Sequence, residues 1–239
     1  MLWEELKIEL EKGKESNIYF ETLLENKKLE EKYPEIYKLV DKPEIEKYHP
    51  SKNSFKHTMI ALKRVQDEND LIKFAVLCHD LGKGETPNEI LPHHYAHEQR
   101  GLKVIDRLCE RISVPKEYKE FAKLFCKQHM KIPKMLVMGI SKKFDLVCEI
   151  SDEFSDKNKL IDILKCFYAD WKGEEEDTDY NSLEEYSNIC EEIISIFEIV
   201  TLLMVNSLPR TLRRATQSSP LKYNKQMREY MLNLLKNRD

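Results

Sequence analysis

Residues 70–101 read DLIKFAVLCHDLGKGETPNEILPHHYAHEQRG, and this stretch decides the fold. Between Leu71 and Cys78 apolar side chains fall on nearly every face, the pattern of a central helix enclosed by others. Asp70 is placed to cap its start and Gly82 to stop it. The apolar run closes on His79-Asp80, and a proline-bounded loop then leads to His93, His94 and His97. Leaving an imidazole and a carboxylate unpartnered in an apolar bundle costs on the order of several kcal/mol. A bound cation satisfies both. Mixed His and Asp ligation suits Mn, Fe, Ni, Co or Mg, whereas a structural zinc would more often bring cysteines.

The rest of the chain supports an all-α bundle around that helix. Among 239 residues there are only 6 Gly and 9 Pro, while Glu, Lys and Leu abound, a composition that favours helix over strand. Helical periodicity runs through residues 1–40, broken at Gly13 and Pro34, and resumes at SKNSFKHTMIALKRV (51–65), where Ser51, Asn53 or Ser54 can cap. HEQRGLKVIDRLCERI, KEYKEFAKLFCKQHM, SKKFDLVCEISDEF and DKNKLIDILKCFYADWKG each carry the 3.6-residue pattern, as do LEEYSNICEEIISIFEIVTLLMV and the last segment. The acidic EEEDTDYNS between them reads as a surface loop.

The six cysteines never form C-x-x-C, so neither a zinc knuckle nor a redox pair is indicated, and a reducing, cytoplasmic setting is expected. No run has the length and apolarity of a signal peptide or a membrane span, so membrane association is not expected. The net charge of −4 does not demand a nucleic-acid partner. The segment from Ser207, with its RTLRR, is nevertheless basic enough to contact an RNA backbone or to serve as a solvated helix face.

His57, then His79-Asp80-Leu-Gly-Lys83, then a later Asp, resembles the HD superfamily of metal-dependent phosphohydrolases. More narrowly, EKYHPSKNSFKHTM, FAVLCHDLGKGETPNEILPHHYAHEQRGLKVIDRLCERISVP and FYADWKG are similar to the HD half of bacterial multifunctional CCA-adding enzymes, over about residues 17–173. The resemblance implies a helical HD core at 49–173, preceded by a helical segment (1–48) packing on it and followed by another (174–239). It also implies hydrolysis of phosphate esters: 2′,3′-cyclic phosphodiesterase, 2′-nucleotidase and phosphatase activity with a divalent metal such as Ni or Mg, on nucleotides or RNA 3′ ends, tRNA included. No adjacent glycines occur, so the nucleotidyltransferase signature of those enzymes is missing and nucleotide addition is not expected.

Carried over residue by residue, the resemblance makes His57, His79 and Asp80 metal ligands. The last ligand is Asp152 when counted back without gaps from Ala169-Asp170, whereas Asp145 requires a gap. Lys83 becomes the residue that steadies a substrate phosphate as a point charge. His97, His94 and His129 become substrate-binding groups, able to hold a second metal or to protonate a leaving ribose oxygen, with His97 and Asp80 in catalytic roles. His93 has no counterpart and reads as surface, and His49 before Pro50 reads equally as turn packing. The rival expectations are a non-catalytic RNA-binding HD module and an HD nucleotidase or second-messenger hydrolase unrelated to tRNA.

Overall fold

The computed structural model describes residues 2–12, 16–44, 53–171, 180–206 and 232–233. Its helices are α1 (Leu2–Glu11), α2 (Ser16–Glu25), α3 (Leu29–Lys32), α4 (Pro34–Tyr37), α5 (Ser54–Arg64), α6 (Asp70–Cys78), α7 (His97–Ile112), α8 (Lys116–Gln128), α9 (Ile140–Ile150), α10 (Lys157–Trp171) and α11 (Tyr180–Asn206). The described residues contain no β-strand, only an isolated bridge between Pro43 and Asn53. The all-α expectation is met. Among the described residues, no helix is long and apolar enough to cross a membrane.

The chain divides into two compact units, residues 1–130 with 163–179 and residues 131–162 with 180–239. In the first, α6 is the central element: Ile72 through Cys78 are all buried. α8 and α5 pack along it. α1 closes another side, where Trp3 meets Phe74 and Tyr118 edge-on at centroid distances of 5.6 and 4.8 Å. The buried Lys73 of α6 donates to the Leu10 carbonyl at 2.7 Å and so satisfies an acceptor at the C-terminal end of α1. Arg111 of α7 grips Glu35 of α4 through two hydrogen bonds, of 3.0 and 2.6 Å.

Local chemistry sets the helix boundaries. Asn53 caps α5, its side chain accepting from Lys56 N at 3.1 Å, which selects one of the three candidates. α6 starts one residue earlier than expected: Asn69 is the cap, accepting from Ile72 N at 2.9 Å, while Asp70 accepts from the Tyr118 hydroxyl. α6 also stops earlier than Gly82. His79 is its C-terminal cap, Asp80 leaves helical geometry at φ −106, ψ 7, and Leu81–Glu85 form a 3-10 turn.

Gly82 has a steric reason to be there. The 3-10 turn lies against α7, and a Cβ on Gly82 would overlap the His97 carbonyl oxygen and approach Gly101 N to 2.5 Å. Gly101 is constrained in turn, because its Cβ would come 2.6 Å from Cys126 Sγ on α8. This backbone-to-backbone crossing brings His97 beside the end of α6.

In the second unit, Phe154 packs with tilted rings against Phe144 of α9 and Phe197 of α11 at centroid distances of 5.0 and 6.3 Å. Lys143 and Glu192 pair at 2.5 Å. Of the acidic stretch 174–182 expected as a surface loop, residues 180–182 instead open α11, while residues 174–179, His49, and the basic segment from Ser207 apart from 232–233 lie outside the described residues.

Candidate metal centre

Four side chains of metal-ligating type converge at the end of α6. His57 comes from α5, His79 and Asp80 from the end of α6, and Asp170 from the last turn of α10. Asp170 Oδ1 lies 3.1 Å from His57 Nε2 and 3.4 Å from His79 Nε2. Asp80 Oδ2 lies 3.2 Å from His79 Nε2 and 3.7 Å from His57 Nε2. Because α6 ends at Cys78, His79 and Asp80 are not held at the roughly 100° separation of helical neighbours, and both can turn inward. His79 Nδ1 is 2.6 Å from the Val76 carbonyl, which can only accept. In the neutral ring the proton is therefore on Nδ1, and Nε2 presents a lone pair to the cluster, as a metal-binding imidazole requires.

A second group shares Asp80. Its Oδ1 lies 3.2 Å from His97 Nε2 and 3.5 Å from His129 Nε2. His97 Nδ1 donates to the His94 carbonyl at 2.9 Å and His129 Nδ1 to the Cys126 carbonyl at 2.7 Å. Both Nε2 atoms are thereby left as acceptors, and they face each other at 3.0 Å. Two facing lone pairs beside a carboxylate oxygen repel unless a positive charge lies among them.

The donor atoms fit divalent cations. His79 Nε2 and Asp80 Oδ1 are buried without a hydrogen-bond partner, a rare and costly condition for polar atoms in a protein interior. Both belong to groups able to hold a metal, one of His57, His79 and Asp170 and the other of Asp80, His97 and His129. Imidazole with carboxylate, and no thiolate, suits Mn, Fe, Ni, Co or Mg.

The electrostatics agree. Burial disfavours the charged form of His79, but Asp80 and Asp170 outweigh it and push its pKa up to about 10. Burial likewise opposes ionisation of Asp170 and Asp80, yet His79 beside each carboxyl, with further help from His57 and Lys83 respectively, holds both well below the usual range. The His129 pKa is lowered by burial, against the pull of Asp80. Asp170 is the most open member, with its side chain 18% exposed against 0–2% for the other three, so solvent meets the first group there.

Most of the residues read from the sequence converge here, with three corrections. The carboxylate that joins His57 and His79 is Asp170, not Asp152. Asp152 belongs to the second unit, exposed on a turn where residues 152–154 all have positive φ. Asp145 is also exposed in that unit, on α9. The gapless count used the aspartate of FYADW only as its origin, and that aspartate is the one grouped with the two histidines.

The second correction concerns Lys83. Its ammonium is buried, 2.8 Å from Asp80 Oδ2 and 2.8 Å from Glu44 Oε1, and so it is committed to two carboxylates. The third concerns His94. Its Nε2 donates to the Pro43 carbonyl at 2.9 Å and its Nδ1 accepts from the Thr86 hydroxyl at 2.8 Å, which leaves no ring nitrogen for a substrate. These bonds tie the loop before His97 to Pro43 and Thr86. His93 is exposed and stacks on exposed Tyr95 at 5.3 Å. Glu44 was not singled out in the sequence. It is one of many acidic residues there, and its nearest cue is the Pro43 before it.

Comparison with known proteins accords with this geometry. The HD domain family matches residues 48–170, a span that runs from before His57 to Asp170. The chain is 41% identical over 179 residues to the Multifunctional CCA protein of Mannheimia succiniciproducens, an alignment covering 72% of this chain and 42% of that protein. The corresponding protein of Haemophilus influenzae is 36% identical over 181 residues (72% and 43%), and that of Shewanella frigidimarina 33% over 193 (78% and 45%). The chain thus spans less than half the length of these relatives. A matched HD domain whose histidines and aspartates are grouped to hold cations supports a metal-dependent phosphohydrolase in general terms, and the chain belongs to the HD domain family.

Proposed function

We propose that this protein is a metal-dependent phosphohydrolase acting on phosphate esters of nucleotides or RNA 3′ ends, with 2′,3′-cyclic phosphates and 2′-phosphates as its substrate class. The observation that carries the reading is the convergence of His57, His79, Asp80 and Asp170 around two buried atoms that lack hydrogen-bond partners. Their similarity to the HD-containing part of proteins named for CCA supports an RNA end, tRNA among them, as substrate.

In this reading His57, His79 and Asp170, with Asp80 beside them, would hold one divalent cation, and Asp80, His97 and His129 would hold a second. A cation so held would supply Lewis acidity, lowering the pKa of water and polarising a phosphoryl oxygen. The protein's own contribution is orientation. Val76, His94 and Cys126 carbonyls fix the tautomers of His79, His97 and His129, so each presents Nε2. Lys83 holds Asp80 by Oδ2 and leaves Oδ1 toward His97 and His129. His97, expected from the sequence to move protons, acts here as a ligand because both its nitrogens are engaged, one by a carbonyl and one by the second group.

The test is hydrolysis of 2′,3′-cyclic AMP by metal-loaded protein with Ni, Mn or Mg, beside Asp80→Ala and a panel of mononucleotides, cyclic dinucleotides and tRNA ends. Turnover of the cyclic phosphate that vanishes in Asp80→Ala is expected. Equal turnover by both proteins would sink the catalytic reading, and salt-dependent tRNA binding without turnover would replace it with a binding module.

A further inference from the structure

We infer that Glu44, which precedes the residues matched to the HD domain, is a positioning residue of the metal centre: it neutralises Lys83 so that Asp80 keeps its charge for a cation. The inference rests on the proposed metal reading.

Its basis is the placement of Lys83 midway between two carboxylates. Lys83 Nζ is 2.8 Å from Asp80 Oδ2 and 2.8 Å from Glu44 Oε1, with side-chain exposures of 6% for Lys83, 2% for Asp80 and 3% for Glu44. A buried ammonium must have a counter-charge. If Asp80 were the only one, the pair would be close to neutral and would compete poorly for a metal. With Glu44 present, Lys83 is shared between two carboxylates, and Asp80 is not its sole counter-charge. His94 Nε2 lies 3.8 Å from Glu44 Oε2.

The segment carrying Glu44 is built to hold it there. The Ser54 hydroxyl donates to Glu44 Oε1 at 2.6 Å and Ser54 N donates to the Lys42 carbonyl at 3.0 Å, tying residues 42–44 to the start of α5. Lys42 Nζ donates to the Thr86 carbonyl at 3.1 Å, and His94 Nε2 donates to the Pro43 carbonyl at 2.9 Å, tying the same residues to the loop that carries His97. Residues 42–44 therefore bridge the two ligand-bearing elements on either side of α6.

The experiment measures Ni²⁺ and Mn²⁺ binding to metal-free protein by titration calorimetry, with circular dichroism as a check on folding. Glu44→Gln is expected to weaken the metal Kd by about 10–100-fold, the usual range for groups that orient ligands. Glu44→Asp, which keeps the charge, should retain most of the affinity. Glu44→Gln/Lys83→Met, which removes both charges, should regain most of what the single variant loses, a rescue that a merely structural role would not produce. Wild-type affinity in folded Glu44→Gln overturns the inference and leaves the metal reading standing. A double variant as weak as the single one also overturns it, and should Glu44→Gln fail to fold, a double variant that folds yet binds metal weakly does the same. Failure of wild-type protein to bind any divalent ion would remove the metal reading and this inference with it.

Discussion

Replacing Asp170 with asparagine preserves the side chain's shape and removes its charge. Asp170 Oδ1 is 3.1 Å from His57 Nε2 and 3.4 Å from His79 Nε2, so a cation held by these groups would meet its charge, and a unit charge pair about 4 Å apart is worth about 4 kcal/mol at an effective dielectric near 20. The amide oxygen and water recover much of this, and a net loss of about 2 kcal/mol would weaken divalent-metal binding by about 30-fold. Asp152→Asn is the matched control. Asp152 is exposed on a turn of the second unit, and a surface substitution of that kind stays within roughly 0.5 kcal/mol, a factor of about two in Kd. Calorimetric titration of metal-free wild type, Asp170→Asn and Asp152→Asn with Mn²⁺ and Ni²⁺ reads both effects. The assignment is refuted if Asp170→Asn binds like wild type, or if Asp152→Asn is the variant that loses the metal.

Other outcomes follow from the same geometry. Gly82→Ala should cost about 1–3 kcal/mol of stability or more and lower the Tm, because the new Cβ meets the backbone of His97 and Gly101; an unchanged melting curve would contradict that crossing. His129→Ala should reduce metal stoichiometry from a pair of ions to a single one while the group of His57, His79 and Asp170 still loads; unchanged stoichiometry would count against a second site. In metal-free protein His79 is pushed up to about 10 from 6.5, so its contribution is complete below about pH 6.5 and is lost as pH rises through about 10. Asp80 and Asp170, depressed below 3.8, contribute above that value and lose their contribution as pH falls. The Tm in chelator should therefore fall on both sides of a mid-pH plateau, while stabilisation by added metal, which needs neutral His79, should grow with pH. A metal increment independent of pH would refute the ligand role of His79.

Much of this molecule was legible before any coordinates, and for local reasons. The apolar run of α6 and the 3.6-residue pattern of α7, α8 and α10 are properties of neighbours in the chain, and they appear as helices close to where the periodicity places them. His79 and Asp80 stood out locally, because an adjacent imidazole and carboxylate at the end of an apolar helix can be satisfied in few ways, whereas His57 came from the resemblance to the HD superfamily. Boundaries moved where two residues competed for one job: Asn69 outcompetes Asp70 as cap once the Tyr118 hydroxyl has claimed Asp70.

Residue order alone determined the all-α class, the central helix and the histidine-aspartate pair at its end, since side chains a few positions apart on one helix have fixed relative directions. Tertiary structure alone decided which distant carboxylates complete the centre. Asp170 arrives on α10, 113 residues from the His57 it touches, and Glu44 lies 39 residues from the Lys83 it neutralises. Sequence spacing sets no geometry across such separations. It is the packing of α5, α7, α8 and α10 around the end of α6 that selects these groups from the chain's 43 aspartates and glutamates.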